Sequence, residues 1–425
     1  MLIALSLLSL QEPAESAPPP PPPIPRMSAV EKVLLTVPEE YKDAMLTPAY
    51  APDGARVAVL VQLPSDGALI LSDGAASEVH DFVRAPRFSA DGKHLAWAWG
   101  SRKDREHHEW ELILDGKRAR KADWIGAVVF APVGDDYAVW TGKDVKVNGE
   151  GIYEGGEYTC TWGRKKADGY SEAPWQEPQW SADGKHLGFI GRKPSRSVAV
   201  LDGKEYGPYY FASGFTWSPD GKIAAWTGTK DYDEFLIFTA KKEYGQEYES
   251  VGAPTLGENG AMAYLARMRG RAVLIFLDNI VPGFYDDLGT PAVSPNGKRV
   301  VVAASNGRAE VSGGWFVDNS WMDGSENWNE DTASLAASGS KCFMVLDARK
   351  IGLDWWRVVR PNFSPDSAHV TARARSADGW QVLLDDKVSP AYDAVDTPRF
   401  SADGKSLEFG ARRGRELLWV KLAVE

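Results

Sequence analysis

A short motif, Ser-Pro/Ala-Asp-Gly-Lys, recurs along this chain and restricts its fold more than any other feature. It stands in full or nearly full form at Ala51–Gly54, Ser89–Lys93, Ser181–Lys185, Ser218–Lys222, Ser294–Lys298, Ser364–Ser367 and Ser401–Lys405. Two degraded copies lie at Ala131–Asp135 and Gly257–Gly260. The residue types are those of a tight antiparallel turn: Pro presets φ for the first corner, Asp accepts backbone hydrogen bonds, and Gly takes the left-handed position that follows. An aromatic residue often sits directly before the Ser, as Phe88, Trp180, Trp217, Phe363 and Phe400 do. Such rings are expected to anchor strand ends between neighbouring units.

Each motif is followed by an alternating apolar segment such as Leu95–Trp99, then by a polar loop. A second apolar segment follows and ends in a further Asp-Gly or Asp-Asn turn, as at Asp115-Gly116, Asp202-Gly203 and Asp278-Asn279. Four short strands per repeat of about 40 residues is the signature of a propeller blade. The expected fold is therefore all-β, one propeller of eight to nine four-stranded blades. The last unit runs out after Leu417–Leu422, and Val30–Val37 reads as a spare strand, so the two termini are expected to close the ring together. Successive markers are 37 to 48 residues apart, except for a step of 70 between Asn296 and Asp366 that signals an insertion at about 310–341.

These turns resemble those of the TolB-type, WD-repeat-like propeller family, over nearly all of the chain from about Val30. Through its repetition the signature implies the architecture. It is silent on function, because that superfamily includes both partner-binding proteins and the propeller halves of serine peptidases.

The formal net charge of −11, with no basic stripe, speaks against nucleic acid as the main partner. Two cysteines, Cys160 and Cys342, make no disulfide framework and no zinc spacing, and a single bridge between them stays open. Leu2–Leu10 is apolar and is followed by Ala14, Ser16, Ala17 and the prolines 18–23. Residues 1–28 therefore read as an export signal and a Pro-rich linker, which puts the protein in the periplasm or outside the cell. A retained tail on a cytoplasmic protein is the alternative. The apolar run is too short to span a bilayer.

In a four-stranded blade, two loop sets share the face opposite the marker turn, and here one set is rich in Arg while the other is acidic and aromatic. The residues nominated for binding on this face are Asp286, Asp287, Trp355, Trp356, Arg357, Asp393 and Asp396, joined by Trp315, Trp321 and Trp328 of the insertion. No catalytic residue, cofactor or metal site is nominated. The stretch Asn319–Glu330 superficially follows a calcium loop, but Trp321 falls where an oxygen ligand belongs. His107 and His108 are neighbours that a strand would point to opposite faces, where they cannot share a metal. No Gly-x-Ser-x-Gly elbow and no P-loop occur. The expected function is a non-enzymatic scaffold that binds a protein or peptide through its loop face and Trp-rich insertion; a polar ligand or glycan is a further candidate. The alternative is a glycan-active or other hydrolytic propeller whose carboxylates sit near the channel, with Asp286, Asp287, Asp393 and Asp396 as examples.

Overall fold

The computed structural model describes residues 24–148, 151–231, 235–268, 271–283, 285, 287–306 and 341–424. Residues 1–23 and the Trp-rich insertion lie outside the described residues. Nine antiparallel sheets follow one another along the chain and form the blades of a closed ring. Their second strands are Val57–Gln62, Leu95–Arg102, Tyr137–Lys143, Leu187–Lys193, Ala224–Thr229, Met262–Met268, Val300–Asn306, Val370–Ser376 and Ser406–Arg413, in blades 1 to 9. Both degraded turn motifs prove to join the first and second strands of genuine blades, the third and the sixth.

Each blade is apolar on both faces. Nine buried clusters, one at each interface between consecutive blades, hold the core of the described residues. The ninth interface joins Tyr50, Val57 and Leu71 of blade 1 to Ala394 and Leu417 of blade 9. Blade 9 obtains its outer strand from the other end of the chain: Ala29–Thr36 pairs antiparallel with Glu416–Ala423. Just ahead of that strand, the Met27 amide donates to Val388 and the Val388 amide to Pro25, so the same segment also clasps the outer strand of blade 8. At the seam, Tyr50 is 6 % exposed and donates its hydroxyl to the Ala411 carbonyl at 3.0 Å. Its ring lies so close to Gly410 that a Cβ there would stand 2.1 Å from Tyr50 Cε2.

The turn motif is a compact hydrogen-bonded unit. The hydroxyls of Ser89, Ser181, Ser218, Ser294 and Ser401 donate to the Asp or Asn two residues on at 2.6–2.8 Å. Each accepts in turn from the amide five residues on. The same Asp oxygen caps the amide after Gly, and Gly itself sits near φ +70°, as at Gly92 and Gly184. The aromatic residues before the Ser bridge blades in a more polar way than expected. Trp180 and Trp217 are half-buried and donate to Val129 and Gln179 of the preceding blade, while the Arg56 guanidinium lies 5.1 Å over Phe88.

A second turn device recurs on the same face. The residue two after the Gly, or after Ser367 in the place of Gly in blade 8, is basic in five blades, and it reaches the Asp that opens the turn between the third and fourth strands. The pairs are Arg56–Asp73, His94–Asp115, His186–Asp202, Arg299–Asp347 and His369–Asp385, at 2.6–2.8 Å. All five aspartates have φ near +50°, and four also accept the amide that starts the second strand. The Asp115 hydrogen bond raises the His94 pKa above 6.5, even though burial opposes it. Burial pushes the Asp115 carboxyl up, but the His94 and Leu95 contacts outweigh it and the net shift is downward.

Two predictions follow from these contacts. Gly410→Val should lower stability by about 1–3 kcal/mol through overpacking of the seam, measured by denaturant unfolding. For His94, a raised folded pKa means that its contribution is complete below pH 6.5 and is lost as pH rises through the raised value; the depressed Asp115 carboxyl loses its own only in acid. His94→Gln should therefore flatten the fall in stability on going from about pH 6 to about pH 8, with Lys93→Gln as a neighbouring control that leaves the fall in place.

Candidate functional site

On the face opposite the marker turns, the loops that lead into each blade meet the loops between second and third strands. Here a regular cap appears. Asp81 accepts the Arg102 amide at 2.8 Å, Asp123 the Asp144 amide at 2.7 Å and Asp393 the Gly414 amide at 2.6 Å, each 21 residues along the chain. Asp396 accepts the Thr397 amide at 2.7 Å. These carboxylates shape loops. The arginines of the face are held as well: Arg373 is 2 % exposed and donates to the Val395 carbonyl, and Arg413 grips Glu31 of the closing strand through two contacts of 2.7 and 2.8 Å. That grip lowers the Glu31 pKa against the opposing effect of burial.

Other nominated residues fall in different settings. Trp355 is 7 % exposed and packs in the core between blades 7 and 8. Trp356 and Arg357 are half-buried at the entry to blade 8, and Asp287 opens the inner strand of blade 7 opposite Ser305. Trp315, Trp321, Trp328 and Asp286 lie outside the described residues. His107 is half-buried and bonds Asp104, whereas His108 is buried against Phe82 and bonds the Tyr153 hydroxyl at 3.0 Å, so the two part as a strand start requires. Cys160 and Cys342 are buried in blades 3 and 7 and are not bridged to each other; the Cys342 Sγ donates to the Trp356 carbonyl at 3.4 Å. Among the described residues, no group of three His, Cys, Asp or Glu side chains could hold a metal, and no helix is long and apolar enough to cross a membrane.

The most developed relief on this face is built by the segment 171–178, which leads from blade 3 to blade 4. Glu172 pairs with Arg192 at 2.6 Å, and the Arg192 guanidinium lies 3.5 Å over the Trp175 ring. Gln176 makes a two-way bond with the Phe215 backbone of blade 5, at 3.0 and 2.9 Å. Glu177 reaches the other way to Arg87 of blade 2, at 3.0 Å. One loop thus ties the inner ends of blades 2 and 5 across the two blades between them. A cavity of about 40 Å³ beneath it is lined by Arg84, Trp124 and Trp140, enough for one or two waters. The buried Trp140 indole N–H has no partner among the described residues.

Beside the loop runs a groove of about 520 Å³. Its far wall is a hairpin inserted in blade 3, Lys146–Val147 with Tyr153–Glu154, pinned to blade 2 where the Val147 amide donates to Glu106 and where Trp110 donates to the Tyr153 hydroxyl. Trp175 and Ile152 stand at the rim, 40 % and 54 % exposed. Ile152 and Tyr153 of the groove and Gln176 of the loop beside it carry no signal in the sequence beyond their irregular setting.

No protein-family model matches the chain, and no curated protein does. Solved structures with a similar shape include propellers. TolB from Acinetobacter baumannii overlaps with a TM-score of 0.32 at 13 % identity, covering 67 % of this chain and 79 % of its own. The β-propeller domain of the Trilobed protease from Pyrococcus furiosus gives 0.37 at 10 % identity over 81 % and 95 %, and the Dos1 propeller gives 0.38 at 10 % over 95 % and 96 %. At these scores the likeness carries nothing about activity.

Gln176→Ala should release the loop from blade 5, costing about 1 kcal/mol for the exchanged pair of hydrogen bonds. The specific readout is faster hydrogen exchange at the Phe215 amide, with the amides of the second strand of blade 5 unchanged.

Proposed function

We propose that this propeller is a non-catalytic scaffold that binds a protein or peptide segment on its loop face. The observation that carries the reading is the groove of about 520 Å³ beside segment 171–178, rimmed by Trp175 and Ile152. Large rings presented at low entropy cost are what protein interfaces select for their anchors. The rigidity of the rim supports the same reading: Trp175 is stacked on Arg192, and its loop is tied to two other blades, so a partner meets a preorganised surface. Trp356 and Arg357 belong to the same face, and the insertion with Trp315, Trp321 and Trp328 is proposed to extend it.

The hydrolytic alternative asks for two carboxylates free to work on a substrate. Asp393 is committed to the Gly414 amide of the facing loop and Asp396 to the Thr397 amide of its own, which favours the scaffold. The export reading of residues 1–28 fits a partner in the periplasm or outside the cell.

A pull-down from the envelope fraction of the native host, with wild-type protein and a Trp175→Ala/Ile152→Ser variant compared side by side, tests the proposal. A bound protein whose affinity falls about tenfold or more in the variant is expected. Equal capture by both proteins removes the groove from the binding surface.

A further inference from the structure

The groove beside segment 171–178 carries charge of one sign. Glu154 of the blade 3 hairpin and Glu172 of the loop line it together, and both are exposed; its lining includes no Lys, Arg or His. Glu172 gives Oε2 to the Arg192 Nε, and Glu154 gives Oε1 to the side-chain amide of Asn148. The second oxygen of each carboxylate has no partner among the described residues. Glu172 thus enters the groove already neutralised by Arg192, and the uncompensated charge is that of Glu154. Lys146, which faces Glu154 in the hairpin, is drawn away to Glu106 at 3.1 Å.

The floor supplies an independent sign of a ligand. Tyr158 and Ser171 line the same groove. Tyr158 is 1 % exposed, with its ring edge-on to Trp124, and its hydroxyl makes no hydrogen bond among the described residues. The Ser171 Oγ is likewise buried without a partner among them. Buried polar groups in native proteins are nearly always hydrogen-bonded, so two orphans at one groove call for a group from outside. Burial, with Tyr153 and the nearby Glu172 carboxylate adding to it, pushes the Tyr158 pKa up to about 12. The hydroxyl is therefore neutral at ordinary pH and has a lone pair to offer a cation.

We infer that the groove is a cation site for a basic side chain, Lys or Arg, of the bound segment. Glu154 and Glu172 take the charged head, the Tyr158 and Ser171 hydroxyls accept from it as well, and Ile152 and Ala173 cover its apolar stem. Lys and Arg heads are donors only, which suits a site built of acceptors, and their long stems bury along apolar surface. The net charge of −11 draws a basic partner and repels an acidic one. The peptide as the source of the cation rests on the scaffold reading above; the cation site itself does not.

The probes are acetyl-Ala-X-Ala-amide peptides with Lys, Arg, norleucine or Glu at X, titrated into the full chain by calorimetry at neutral pH up to millimolar concentration. A basic peptide should bind, more weakly as salt is added, and the norleucine and Glu peptides should not. Glu154→Gln and Tyr158→Phe should each weaken it about fivefold or more. Tyr158→Phe should unfold at the wild-type temperature or above, because it loses no bond of the free protein. Failure of both basic peptides to bind, equal binding of the norleucine peptide, or wild-type affinity in either variant would overturn the assignment. So would a clear drop in the Tyr158→Phe melting temperature. If neither basic peptide binds while a captured partner still depends on Trp175 and Ile152, the cation site falls and the scaffold stands. Basic peptides that bind a protein capturing no partner uphold the site and leave the scaffold without support.

Discussion

Every blade in this ring carries apolar side chains on both faces, so none can be a stable end. Burial is complete only when each sheet has a neighbour on either side, and the ninth interface is as necessary as the other eight. The demand for closure accounts for the chain's least local contacts: Tyr50 bonded to Ala411, the close approach of that ring to Gly410, and the pairing of Ala29–Thr36 with Glu416–Ala423. Burying apolar area stabilises by about 25 cal/mol per Å², and an open ring would leave two sheet faces wet.

The two faces of the ring are made differently. On the marker face, Ser, Asp and Gly lock each turn, and five His or Arg to Asp pairs lock it to its neighbour within the blade. That face is repetitive because the turn geometry is the same each time. The other face lacks a uniform rule beyond the Asp cap, and there the repeat is broken by the blade 3 hairpin and by segment 171–178. Rigidity where the pattern is kept permits variation where it is lost.

Much of this was legible in residues alone. Asp91 and Asp183 announce their turns because only a few residue types satisfy that hydrogen-bonding geometry, and Val30–Val37 announces a strand because the last blade is one short. The loop face was harder. Asp81, Asp123 and Asp393 look like ligand carboxylates in a sequence, yet each caps an amide a fixed 21 residues away; that constant spacing is a signal that could have been read. Trp355 looked like a rim residue and is core, because a strand alternates its faces and it falls on the buried one. The reach of Gln176 to blade 5 and the meeting of Glu154 with Glu172 at one groove depend on ring geometry and strand register. Neither is encoded at any local spacing.

The clasp at residues 25–36 has a consequence in time. These residues leave the ribosome hundreds of positions before Glu416–Ala423, the strand they must pair with, so a nascent chain holds eight or more blades with its first strand still waiting. Pairing at such sequence separation is slow, because the loop-closure entropy is lost before the contact is gained. Until then Leu417, Leu418, Val420 and Leu422 lack the strand that covers their edge, and the unfinished ring offers a sheet edge to any other chain that can supply one.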